Sequence, residues 1–260
     1  MAEYLGTVKM GGFYKRSRFL KKNKILKRPK RNEGTSQSPD LAYCVADIPK
    51  MSGGMDDYII GDTPKEEENQ LIWHKIRDKD KILFICDRNI LVFVSRNDLN
   101  EQGYILGKKI KIDNKEYLCR VLTGAGKLEK DEDGKITHKD NEWDRFICRK
   151  ECIGGLPEPD FIDLSEGTGK KGSINLDNIP SFPKFVRQTT LIEDKKGANN
   201  SFWNWAGCHS WCQERHESSG SPCAYRGNTS GGCLLFANPD TKNEFLGFRP
   251  VLEINCTDNI

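Results

Sequence analysis

The sequence predicts an α+β protein of small antiparallel sheets, short helices and long irregular loops, preceded by a basic N-terminal arm. Three observations predict it. Strand-sized apolar or alternating runs recur from Leu71 to the C-terminus. Helical patterns last only a turn or two. Between them lie long stretches rich in Gly, Pro, Ser and Asn. The division that follows is an arm and linker over residues 1–70 and a folded domain over residues 71–260.

With 260 residues, the chain can bury a sizeable core, and its 30% charged residues place it in the soluble globular class. The longest apolar runs, Ile82 to Cys86 and Ile90 to Val94, are far too short to span a bilayer, so no membrane insertion is expected. The opening MAEYLGTV has no apolar stretch of the secretory kind, which predicts synthesis in the cytoplasm.

Residues 1–40 hold eleven Lys and Arg against three Asp and Glu, a net charge of +8 within a chain whose total is +3. The run from Tyr14 to Asn32 contains no acid at all. It reads either as a solvated docking arm, because like charges repel, or as a phosphate-backbone contact that would recruit nucleic acid. From Asn32 to about Gln70 the text is irregular, with one short strand at Tyr58-Ile59-Ile60.

The runs ILFIC and ILVFVS flank Asp87-Arg88-Asn89, which reads as a tight turn between paired strands. RNDLNEQG follows as a short helix, capped by Asn97 and stopped by Gly103. Ile110 and Ile112 alternate with lysines, Asp113-Asn114-Lys115 turns, and Tyr117, Cys119 and Val121 alternate on the return, which makes a hairpin. Asn141 caps a short helix whose apolar face is Trp143, Phe146 and Ile147. GTGKKGS lacks the spacing of a phosphate loop and reads as a surface loop. Ser210 and Gln213 fit a capping box, which starts a helix through Trp211 and Cys212. In FLGFRPVLEINC, Phe248, Leu252 and Ile254 alternate with charged or smaller residues; Pro250 makes this an edge strand or a strand start.

Ten cysteines occur without any Cys-x-x-Cys pair. Cys208, Cys212 and His216 would share a helical face and offer three zinc ligands, but buried free thiols explain the cysteines better, and no metal or cofactor is expected.

Trp203, Trp205 and Trp211, followed by Arg226-Gly227 and by Gly247-Phe248-Arg249-Pro250-Val251-Leu252, resemble the C-terminal part of the C-type-lectin-like fold in its formylglycine-generating-enzyme-like branch. More narrowly, the set is similar to the variable proteins of diversity-generating retroelements and related phage tail or display proteins. The resemblance runs from about residue 71 to 256 and implies a scaffold of tryptophans and arginines carrying loops whose exposed residues change from ligand to ligand. It also implies a neighbouring reverse transcriptase gene and a near-copy of the coding DNA that differs at adenines.

Under that resemblance the ligand-contact candidates are Ala206, Gly207, Cys208, His209, His216, Ser218, Ser219, Ser221, Asn228, Thr229, Ser230, Leu234 and Phe236. Leu234, Leu235 and Phe236 read equally as an apolar hot spot or as a core strand. The expected function is non-enzymatic binding of a protein or cell-surface ligand, with a virion or carrier protein docked through the N-terminal region. Two alternatives stand beside it: a cysteine oxidase using Cys208, Cys212, Cys223 or Cys233, and nucleic-acid binding through the basic arm. A hydrolase is disfavoured because no nucleophile elbow accompanies His74, His138, His209 or His216.

Overall fold

The computed structural model describes residues 2–16, 23–29, 48–125, 129–130, 136–137, 141–148, 153–155, 200–204, 208–215, 221–228 and 233–256. Strands dominate these residues. In chain order they are β1 (Glu3–Lys15), β2 (Lys24–Leu26), β3 (Tyr58–Gly61), β4 (Gln70–Asp78), β5 (Lys81–Cys86), β6 (Leu91–Val92), β7 (Lys108–Ile112) and β8 (Lys115–Arg120). There follow β9 (Glu129–Lys130), β10 (Ile136–Thr137), β11 (His209–Arg215), β12 (Cys223–Gly227), β13 (Leu234–Ala237), β14 (Leu246–Phe248) and β15 (Val251–Asn255). Two short helices, α1 (Arg96–Glu101) and α2 (Asn200–Trp203), complete the described regular structure, apart from single turns. The architecture is antiparallel sheet with little helix, richer in strand than the sequence suggests.

The larger sheet has the order β2-β1-β4-β5-β15-β8-β7, with β3 also on β1. Its centre is buried on both faces, which explains why ILFIC, Ile82 to Cys86, is apolar throughout rather than alternating. Ile82, Phe84 and Cys86 enter one core with Trp73 and Leu252, whereas Leu83 and Ile85 enter a second with Ile76 and Val251. β1 bends at Gly6 (φ 98°) and Gly11 (φ 67°), where its register with β4 shifts. The bends let one strand reach β4 with its first part and β2 and β3 with its end.

The N-terminal residues therefore belong to the fold, and the boundary at residue 70 is corrected. Charge concealed this: Phe13 lies in the core and Leu26 packs against it, although lysines and arginines surround both. Lys15 donates to the Ser52 carbonyl and hydroxyl, and Arg28 reaches the Gln70 carbonyl, so these cations serve internal contacts. Residues 17–22 and 30–32 of the basic run lie outside the described residues.

The second sheet has the order β13-β12-β11-β14-β6. β5 and β6 thus do not form a hairpin: Asp87-Arg88-Asn89 carries the chain from one sheet to the other. The C-terminal segment mirrors that crossing, since β14 pairs with β6 and β15 with β5. β15 is consequently central, between β5 and β8, and not an edge strand. Pro250 sits at the crossing, immediately before β15, where a missing N–H leaves the ladder intact. Gly247 is required there, because a Cβ would stand 2.5 Å from the Leu91 carbonyl oxygen.

Three local expectations are met and two are corrected. The hairpin β7–β8 turns on Asp113 (φ 51°) and Asn114 (φ 65°), the backbone of a two-residue primed turn. β3 covers Tyr58-Ile59-Ile60. Asn141 accepts from the Asp144 N–H at 2.8 Å, capping a wide turn over Trp143–Ile147, and Trp143, Phe146 and Ile147 are buried. The cap of α1 is Ser95 rather than Asn97, in a reciprocal pair with Asp98; Gly103 (φ 78°) does end that turn. Residues 209–215 are strand β11, not a helix, because β12 and β14 pair with its two edges.

Candidate functional site

Trp211, Arg226, Gly227, Gly247 and Phe248 lie on strands of the second sheet. Arg226, 1% exposed, ion-pairs with Asp144 and donates to the Gly124 carbonyl at 3.0 Å. The Arg226 and Arg249 guanidiniums lie 5.9 and 5.4 Å from the Trp143 ring centre. Arg249 also donates to the Asn204 carbonyl at 3.0 Å. Burial holds its pKa down to about 10, partly offset by the Cys86 thiol and the Asp87 carboxylate. Trp211 donates to the Val94 carbonyl at 2.8 Å, and Trp203 and Phe248 are fully buried. Trp205 lies outside the described residues.

The contact candidates divide. Cys208 is buried in a small cluster with Ile48 and Val92, and Leu234 is buried in the core beside Trp143 and Trp203. Both are corrected: side chains 1% and 5% exposed, packed into apolar clusters, do not meet a ligand. Leu235 is buried too, so the core-strand reading of β13 holds, with Phe236 half-buried against the same core. His209, Ser221 and Asn228 are half-buried. Ser221 (φ 39°) and Asn228 (φ 76°) have left-handed backbones, where β-branched replacements would be strained. Ala206, Gly207, His216, Ser218, Ser219, Thr229 and Ser230 lie outside the described residues.

What the sequence reading missed is an aromatic edge beside His209. Phe93 and Phe245 are 38% and 45% exposed. The Phe93 N–H donates to the Asn243 carbonyl at 3.1 Å, and the His209 N–H to the Phe245 carbonyl at 2.7 Å. Lys50 lies 5.9 Å from the Phe93 ring centre and pairs with Glu244 at 2.9 Å. Phe93 has φ 63°, a conformation that a bulky residue adopts only when its surroundings impose it. No sequence signal marks it: Ile90, Leu91, Val92 and Val94 on either side are all buried, and the left-handed backbone at Phe93 is what turns its ring outward.

His209 joins this edge to the sheet. Its Nε2 lies 3.0 Å from Asn228 Nδ2 and its ring packs edge-on against Tyr225 at 4.6 Å. In this arrangement the imidazole is neutral, with Nε2 accepting from the amide.

The shared helical face proposed for Cys208 and Cys212 does not exist, since four residues of extended chain separate side chains by about 13 Å. Among the described residues no group of three or more His, Cys, Asp or Glu is placed to hold a metal ion, and no helix is long and apolar enough to cross a membrane. Burial raises the Cys86 thiol to about 12 and pushes Cys212 and Cys223 up as well.

No protein-family model, curated protein or solved structure matches this chain.

Proposed function

We propose that the chain is a non-enzymatic ligand-binding protein of C-type-lectin-like fold, of the phage- or prophage-associated display kind. Its contact surface is the edge formed by Phe93, His209 and Phe245, rimmed by Lys50, Glu244 and Asn228. The observation that supports this most is the attachment of that edge: His209 and Phe245 hang on the β11–β14 pair, directly beside buried Trp211, Arg226 and Phe248. Rings held by a stiff frame lose little freedom on binding, and aromatic side chains within a polar rim suit a protein ligand.

Retroelement diversification fits the same arrangement, since side chains outside the frame change at small cost to stability. The oxidase alternative needs a thiol of low pKa, whereas burial pushes Cys212 and Cys223, two of its four candidate thiols, upward. The nucleic-acid alternative has lost part of its basic arm to β1 and β2.

A library of the full chain randomised at Lys50, Phe93, His209, Glu244 and Phe245, panned against one purified protein, tests the proposal. Folded binders with Kd of about 1 μM or tighter are expected. A folded library that yields none overturns it.

A further inference from the structure

The short helix α1 sends a cation into the fold. Its first turn is closed by the Ser95–Asp98 pair and tied to the chain beyond β13, where the Asn97 N–H donates to the Pro239 carbonyl at 3.1 Å and Asn97 Nδ2 to Asp240 at 2.6 Å. Arg96, the first residue of α1, is 4% exposed, and its Nη2 donates to the Gln213 carbonyl of β11 at 2.6 Å. Its Nε and Nη1 are buried and meet no acceptor. Two residues further along β11, Arg215 stands exposed, opposite Cys223 of β12. Among the described residues neither guanidinium has a carboxylate partner.

The acids close by are committed elsewhere. Glu214, between Gln213 and Arg215 in sequence, turns both carboxylate oxygens to the Gly124 N–H, at 3.1 and 2.9 Å. Asp98 is held by Ser95 and by Lys242 at 2.8 Å. The two cations act on one neighbourhood. Burial holds Arg96 below its ordinary pKa and the Arg215 charge pushes the same way, against Cys223, Glu214 and Cys212. Burial raises the Cys223 thiol, and Arg96 and Arg215 both pull it down.

We propose that Arg96 and Arg215 form an oxyanion site that binds a carboxylate or phosphate group at the end of the β11–β12 pair. A buried guanidinium with uncommitted N–H groups is costly, and a second cation beside it adds repulsion. An oxyanion relieves both, because it accepts from several N–H groups and neutralises the like charges. Arg96, fixed by the Gln213 carbonyl, is the preformed donor, and exposed Arg215 meets the ligand first. Half-buried Ser221 and Pro222 flank the approach, where the Ser221 carbonyl lies 3.5 Å from Cys223 Sγ. The site is at the opposite end of β11 from His209, so it stands independently of the proposed contact edge.

Calorimetry of the full chain at low ionic strength tests the site, with inorganic phosphate and hexaglutamate as separate probes. At least one is expected to bind at a single site with Kd of about 1 mM or tighter. Binding of phosphate assigns a phosphate group to the site, and binding of hexaglutamate a carboxylate. Arg96→Gln and Arg215→Gln should each weaken that binding about ten-fold or more, while Lys111→Gln, at an exposed lysine of β7, changes it less than about two-fold. Should Arg96→Gln fold poorly, the Arg96 Nε–H resonance in the unsubstituted chain decides: a saturable shift on adding the probe sustains the site, and an unmoved resonance overturns it. Absence of binding by both probes, or equal weakening by Lys111→Gln, also overturns it.

Discussion

Replacing Asp144 with alanine is expected to destabilise the chain by about 3–5 kcal/mol, the cost of stranding a buried cation. Arg226 and Asp144 have side chains 1% and 3% exposed, and Arg226 Nε already lacks a partner. Removing the carboxylate leaves the guanidinium with the Gly124 carbonyl, the weak Cys148 sulfur acceptor at 3.6 Å and the Trp143 ring. Asp144 also closes the capped turn through its bond from Asn141 Nδ2 at 2.7 Å, so the Trp143–Ile147 turn loosens with it. An exposed pair supplies the contrast. Glu116→Ala removes the partner of Lys109 on the exposed surface of the hairpin and should leave stability almost unchanged. Guanidinium unfolding of the three proteins measures both differences, and comparable costs would contradict the reading of Arg226 as part of the frame.

Trp211→Ala should cost a similar amount, about 3–5 kcal/mol, for a different reason. The indole is 1% exposed, lies edge-on to Tyr225 at 5.8 Å and belongs to the first core with Val94 and Phe248. Truncation empties that volume and orphans the Val94 carbonyl, which accepts the indole N–H. Trp211→Phe refills most of the volume and loses only the hydrogen bond, so its cost should be well under half. A melting series over the three proteins checks the order, and an alanine variant as stable as wild type would remove Trp211 from the frame.

Much of the frame was legible, because its signals are local or compositional. The β7–β8 hairpin announces itself through alternation on both arms and an Asp-Asn turn whose residues tolerate positive φ. The burial of Trp203, Trp211, Arg226 and Arg249 was legible as a spaced set rather than from any single residue. Pairing between distant segments was not. ILVFV has the same apolar character whether it returns beside β5 or crosses to β14, and only the second placement occurs. Ser210 and Gln213 satisfy a helix-start pattern that two flanking strands override.

At the contact surface, residue type failed to report direction. Cys208 and Leu234 belong to the set a diversified loop permits, yet each faces a core. Phe93, concealed in an apolar run, faces water. Lysines and arginines made residues 14–32 look like a free arm, although Tyr14 and Lys15 end a core strand and Lys24–Leu26 pair with it.

A saturation scan of folded yield, position by position, tests most directly whether a stiff frame carries a replaceable edge. The account predicts that His209, Phe245 and, β-branched residues apart, Phe93 accept most side chains with little loss of yield, while Trp143, Trp211, Arg226, Gly247 and Arg249 accept almost none. Equal intolerance in the two groups, or tolerance at Gly247 and Arg226, would contradict it.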